Sequence, residues 1–270
     1  MSKATSMYGE VVSTTRLSPQ LVRIVLGGEG LADYVAGDAA DQYVNCQFRP
    51  ADAPYAVPFT EDEVRDLDRE QRPFPRRITV RHWAAGTREL TLDIAVHGDV
   101  GHAGRWALAA QPGDRLQMRG PAGSYHLHQD AATFLLVGDE SALPAIAASA
   151  EAAPAGSRVV VVAEVEDADG EIELNSPGTL EVHWVHRAGY AGDLDTLLAE
   201  TVAGLRFDGV VSAFVHGEAE ETRAVRRHLL STGVVDLEHL SCSPYWRRGH
   251  DDEQWRTIKG AWTREVAADV

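Results

Sequence analysis

The chain has 270 residues, 44% of them hydrophobic and 24% charged, with 25 Lys plus Arg against 41 Asp plus Glu and a formal charge of -16. That length accommodates two modest domains, and the acidic balance repels nucleic acid and anionic lipid surfaces, which excludes general binding to either. No run approaches the roughly 18 apolar residues of a membrane span, and residues 1–6 lack the apolar stretch of a secretory signal, which predicts a cytoplasmic protein with no stable membrane association.

Residues 8–121 read as short alternating apolar segments broken by Gly, Pro and Asp, with strands expected at 21–26, 43–48, 76–81 and 90–96. Five or six such strands with one buried face predict a small antiparallel β-barrel. Residues 49–75, rich in Pro and Asp, form a long excursion with one helix expected near 61–69. After residue 131 the rhythm becomes strand and helix in alternation. Strands are expected at 134–137, 158–163, 180–185, 210–215 and 237–241, and helices at 141–153, 193–201 and 218–230. This pattern predicts a parallel sheet covered by helices, with ligands at the carboxyl ends of the strands. In the last segment, 251–270, Trp255, Ile258 and Trp262 share one helical face, so that helix should dock. The expected division is a barrel over residues 1–128 and an α/β domain over 129–270. Cys46 and Cys242 read as ordinary buried thiols.

Three stretches carry candidate chemistry. The first, Arg76-Arg77-Ile78-Thr79-Val80-Arg81, puts Arg77, Thr79 and Arg81 on one face of a strand and Arg76, Ile78 and Val80 on the other. Three arginines in six residues suit an anionic ligand such as a pyrophosphate, or else a solvated strand. The second, His97-Gly98-Asp99-Val100-Gly101-His102-Ala103-Gly104-Arg105-Trp106, spaces glycines every third residue ahead of a short helix. Backbone N–H groups and a helix N-terminus can cradle phosphate there, although a hairpin uses the same residues. In the third, Gly138-Asp139-Glu140-Ser141 joins a strand to a helix where nucleotide domains hold their ligand. Acidic residues at that point favour ribose hydroxyl or amide contacts, or simply cap the helix.

Together these stretches resemble the siderophore-interacting proteins, relatives of the ferredoxin reductases. Their motifs are Arg-x-Tyr-Thr, His-Gly-x-x-Gly-Pro-Ala-Ser-x-Trp-Ala and Gly-Asp-Glu-Thr-Ala-Leu-Pro-Ala-Ile. The elements His216-Gly217-Glu218, Arg226-Arg227 and Tyr245-Trp246-Arg247-Arg248-Gly249 extend the resemblance along essentially the whole chain. The resemblance implies an FAD-dependent reductase that passes electrons from NADH or NADPH to ferric siderophores and releases their iron. It assigns the flavin to the strand Arg76, Arg77, Ile78, Thr79, Val80 and Arg81 and to His97, Gly98, Gly101, Ala103, Gly104, Arg105 and Trp106. Asp139, Glu140 and Ser141 fall beside the nucleotide, and a cationic mouth of Arg247, Arg248 and Lys259 faces the anionic chelate.

The sequence departs from the family pattern at Ile78 in place of tyrosine, His102 in place of proline, Gly104 in place of serine and Pro244 in place of glycine. An isoleucine offers no phenol to the flavin ring, which leaves open a non-catalytic siderophore- or partner-binding protein with a degenerate flavin site. A purely structural reading of Arg247 and Arg248 pairs them with Asp251 and Asp252. For the nucleotide, Glu164 and Glu166 stand where an acidic residue selects NADH, against Arg187, which would serve a 2′-phosphate. His126 and His128 could face one way on a strand as a metal pair, but without a third ligand they read as exposed histidines.

Overall fold

The computed structural model describes residues 6–98 and 101–269. The chain divides into two compact units, Met1–His126 and Leu127–Val270.

In the first unit six strands close into a barrel. They are β1 (Ser6–Ser18), β2 (Leu21–Gly27), β3 (Tyr43–Phe48), then, after helix α1 (Glu61–Val64), β4 (Phe74–Ala84), β5 (Glu89–Ala95) and, after helix α2 (His102–Ala109), β6 (Arg115–Ala122). The order around the barrel is β1-β2-β5-β4-β3-β6, with every pairing antiparallel. The alternation in the sequence sets the inner face: Ile24, Leu26, Val44, Cys46, Phe48, Leu90, Leu92, Ile94 and Met118 are all essentially inaccessible to solvent. The helix expected at 61–69 is shorter than that. Thr60 and Glu63 make a capping box that starts α1, but only Val64 is buried, and a short 3-10 turn follows at Arg69–Gln71. With so little apolar face to pack, propensity alone does not sustain a second turn.

The second unit runs β7 (Thr133–Gly138), α3 (Leu143–Ala152), β8 (Arg158–Val165), β9 (Thr179–His186), α4 (Leu194–Ala203), β10 (Val211–Glu218), α5 (Ala219–Ser231), β11 (Leu240–Trp246) and α6 (Asp252–Ala267). Its five strands are parallel in the order β11-β10-β7-β8-β9. Residues of β7 and β10 are buried throughout, as expected of central parallel strands covered on both faces. Pro244 lies in β11, at the sheet edge, where a missing ladder donor is tolerated. The last strand begins three residues later than the sequence suggests and continues through Tyr245-Trp246. The face of α6 predicted to dock does so: Trp255 and Trp262 are buried against each other and Ala219. Both cysteines are free, Cys46 buried and Cys242 half-buried.

Candidate functional site

On the barrel, the register of β3 with β4 decides which way the arginine strand faces. Val44, Cys46 and Phe48, all core residues, pair with Ile78, Arg76 and Phe74, so these three share the inner face. Arg77 and Thr79 share the outer face with Asn45 and Tyr43, and the Arg77 guanidinium lies 5.1 Å from the Tyr43 ring centroid. The predicted alternation holds to Val80, where a bulge shifts the register. Two residues that the resemblance assigns to the flavin have contacts within the barrel. The Val80 side chain belongs to the barrel core, and Arg81 lies 3.9 Å from Asp93, a buried carboxylate already gripped by Arg23 through two bonds of 2.7 Å.

The glycine-rich stretch enters α2 at Gly101, whose φ of 74° and exposed position suit glycine. Gly98 also has positive φ, and a Cβ at either position would meet nothing within 4 Å. The N-cap residue, Gly101, has no side chain to cap α2. Asp99 and Val100 of this motif lie outside the described residues. The His102 ring stacks on Phe74 at 3.4 Å with an interplanar angle of 10°, and Arg69 covers Phe74 at 4.3 Å. That stack, unreadable from the sequence, sets the N-terminus of α2 beside the start of β4. Arg76 is two residues further along β4, half-buried, with Nη1 donating to the Pro75 carbonyl at 2.8 Å. His97 and Arg105 are exposed, while Ile78, Ala103 and Trp106 are partly buried apolar groups packed on the core. Gly104 is not forced, since a Cβ there would touch Val96 only at 3.7 Å. Glycines at positive φ, a helix N-terminus, the arginines of β4 and an apolar wall fit the phosphates and ring of FAD.

In the α/β unit, the order of strands reverses between β7 and β10, and charged residues converge on their carboxyl ends. Gly138 is required because a Cβ would lie 2.2 Å from the His216 carbonyl oxygen, and Gly217 because one would lie 2.9 Å from the Asp139 carboxylate carbon. Asp139 is 2% exposed and accepts from Ser141 N at 2.9 Å, Ser141 Oγ at 2.5 Å and Trp246 Nε1 at 2.6 Å. Burial raises its pKa. Glu140, 3% exposed, takes both Arg187 Nη groups, at 2.6 and 2.8 Å. Only Ser141 of the predicted nucleotide-side trio is half-exposed. The partners of Asp139 and Glu140 draw both carboxylates inward, where they shape the strand ends.

Arg187 also reaches Glu166 at 2.8 Å and Glu164 at 3.4 Å, so the residue expected to serve a 2′-phosphate is enclosed by three carboxylates. Burial pushes Glu164 up to about 7. Burial, with Glu164, Asp139 and Glu218 nearby, pushes Glu221 up to about 9 against the pull of Arg248. Glu164 Oε2, Glu221 Oε2 and His216 Nδ1 find no hydrogen-bond partner among the described residues. His216 is stacked on Phe214 at 3.8 Å, and burial lowers its pKa to about 3, so the ring is neutral. Sequence reasoning missed Glu221. Its only signal was a glutamate at the third position of a helix whose cap, Glu218, accepts from Glu220 N and Glu221 N at 2.6 and 3.1 Å.

The predicted cationic trio does come together around the end of β11, but each member is engaged. Arg248 binds Asp195 at 2.6 Å and also Glu221, and its N–H donates to Glu218 at 2.8 Å. Arg247 pairs with Glu220 at 2.9 Å, and Lys259 Nζ donates to the Pro244 carbonyl at 2.6 Å. The alternative pairing with Asp251 and Asp252 is also corrected. The arginines turn toward α4 and α5, while Asp251 caps α6 through Gln254 N at 2.8 Å.

A closed antiparallel barrel followed by a five-stranded parallel sheet covered by helices is the ferredoxin reductase-like fold. Ferredoxin reductases of known structure share that fold alone, at 12% and 15% identity with TM-scores of 0.64 and 0.63. Residues 10–125 match the family model described as the siderophore-interacting FAD-binding domain, and residues 131–249 match that of the siderophore-interacting protein. The chain is 39% identical to an uncharacterized Mycobacterium tuberculosis protein, covering 96% of this chain and 94% of that one. It is 31% identical to the ferric vibriobactin reductase of Vibrio cholerae, over 88% of each. The crystal structure of a siderophore utilization protein from T. fusca superposes with a TM-score of 0.79 at 36% identity, covering 93% of this chain and 96% of that one. The chain belongs to the siderophore-interacting protein family.

Proposed function

We propose that this protein is an FAD-dependent reductase that carries electrons from NAD(P)H to ferric siderophores. The observation that carries the reading is the Phe74–His102 stack, which brings the arginine strand β4 to the glycine-entered N-terminus of α2. Arg76 would neutralise the flavin pyrophosphate, and the α2 N–H groups behind Gly101 would bond its oxygens. Ile78 would pack on the ring face through apolar contact in place of a phenol, with Ala103 and Trp106 as neighbouring apolar surface. Bound FAD would supply the conversion of one two-electron hydride into two single-electron transfers. The overall balance is one NAD(P)H and two ferric chelates giving NAD(P)+, one proton and two ferrous ions.

Ser141 and the backbone at the β7 and β10 ends would receive the nicotinamide nucleotide. Three carboxylates around Arg187 disfavour a 2′-phosphate there, which favours NADH. Arg247, Arg248 and Lys259 would anchor the anionic chelate. Arg247 is the member to test, because its partner Glu220 is half-exposed, whereas removing Arg248 strands the buried Glu221. Arg247→Gln should raise the apparent KM for ferric chelates and leave flavin reduction by nicotinamide unchanged.

The reading is tested by absorbance of the purified protein between about 300 and 600 nm, the range of flavin bands, with FAD, then NADH or NADPH without oxygen, then a ferric siderophore. Bands that bleach with nicotinamide and return with the ferric chelate are the expected result. A protein that refuses FAD would instead favour the non-catalytic binder, for which Ile78 and His102 are the motive.

A further inference from the structure

At the amino ends of β7 and β11, the opposite edge of the sheet from Asp139, three side chains from two distant segments converge. We propose that His128, Asp130 and His239 form a binding site for a divalent first-row transition ion, with Asp236 orienting His239. One ligand atom from each of the three lies within 4.8 Å of the others. His239 Nε2 and Asp130 Oδ2 are 3.4 Å apart, and metal bonds of about 2.1 Å in a tetrahedron put ligand atoms about 3.4 Å apart. The His128 and His239 rings are 4.6 Å apart, centroid to centroid, and tilted by 42°, so neither blocks the other's edge.

The second element of the design is Asp236. Its Oδ1 accepts from His239 Nδ1 at 2.8 Å and from the His239 backbone N–H at 3.0 Å. With the proton held on Nδ1, the lone pair of Nε2 points at Asp130 and His128, the carboxylate–histidine–metal arrangement. Asp236 and Asp130 place two carboxylates against the His239 ring, so negative charge surrounds the position an ion would take. The His239 side chain is 14% exposed and that of Asp130 66%, which gives one anchored ligand and one free to close on an ion. Two imidazoles and one carboxylate suit Zn2+ and, more weakly, Fe2+, and do not suit Mg2+. In this arrangement the imidazole beside His128 is that of His239, from a distant segment, and not that of His126. An ion there ties the segment before β7 to the turn before β11, so it should stabilise the α/β unit. This inference does not rest on the reductase reading.

The test is calorimetric titration of the chelator-stripped full chain with zinc chloride, with ferrous sulfate without oxygen and with magnesium chloride, alongside thermal melts at each metal concentration. One zinc per chain, weaker ferrous binding, no magnesium binding and a Tm that climbs with free zinc are expected. Asp130→Ala and His239→Gln should remove the site, and Asp236→Asn should weaken it about 10- to 100-fold. Asp130 is exposed, so Asp130→Ala remains a valid test if the His239 variant folds poorly. Absence of zinc binding, or the same stoichiometry and affinity in Asp130→Ala as in the parent, would overturn the assignment.

Discussion

Arg187→Ala removes the only guanidinium that Glu140 contacts among the described residues. The Glu140 carboxylate, 3% exposed, would keep a single bond from the Glu166 backbone N–H at 3.0 Å and would lie beside Glu164, itself 2% exposed. Deleting one partner of a buried ion pair costs about 3–5 kcal/mol, because the remaining charge stays desolvated. The Arg187 side chain is 21% exposed, so water can enter the vacated space, and the expected loss is about 3 kcal/mol, at the low end of that range. Urea unfolding at pH 8, followed by tryptophan fluorescence and far-UV circular dichroism, would measure it. Glu140→Gln removes the stranded charge at nearly constant volume. The double variant should therefore recover about 2 kcal/mol relative to Arg187→Ala alone, the signature of direct coupling. A loss below about 1 kcal/mol, or a double variant no more stable than Arg187→Ala, would refute the view that this pair holds the strand ends together.

Glu164→Gln should flatten the pH dependence of stability. Burial raises Glu164 from 4.5 to about 7, so its contribution is full below pH 4.5 and lost as pH rises to 7. The parent should lose about 3 kcal/mol across that window from this group, and equal slopes in parent and variant would contradict it. Arg76→Ala should weaken FAD binding roughly 10- to 100-fold, the worth of a charge-assisted hydrogen bond, and an unchanged flavin-to-protein ratio on purification would remove Arg76 from the phosphate site. Gly217→Ala places a methyl group 2.9 Å from the Asp139 carboxylate at a φ of 138° and should cost about 2 kcal/mol or more, with an unaltered urea midpoint as the contrary result.

Periodicity in the sequence was enough to read both layers of this protein. Strict alternation in segments such as Tyr43–Phe48 marks strands with one buried face, and the continuous apolar run of residues 159–163 marks a strand buried on both. The motif residues were legible for a similar reason: the glycines at 98 and 101 and the turn into α2 are local backbone requirements, written where they act. Partners of charged groups are not local. Arg248 was readable as a cation, but its carboxylates come from α4 and α5, and the sequence had no means of pairing it with Asp195 and Glu221 rather than Asp251 and Asp252. The Phe74–His102 stack, the enclosure of Arg187 and the meeting of His128 with His239 likewise join elements far apart in the chain. The sequence by itself determined which segments become strands and helices and where the backbone must bend. Only the tertiary structure decided which charges are spent on one another and which remain for a ligand, because an ion pair depends on distance in space and on desolvation, and neither follows from position along the chain.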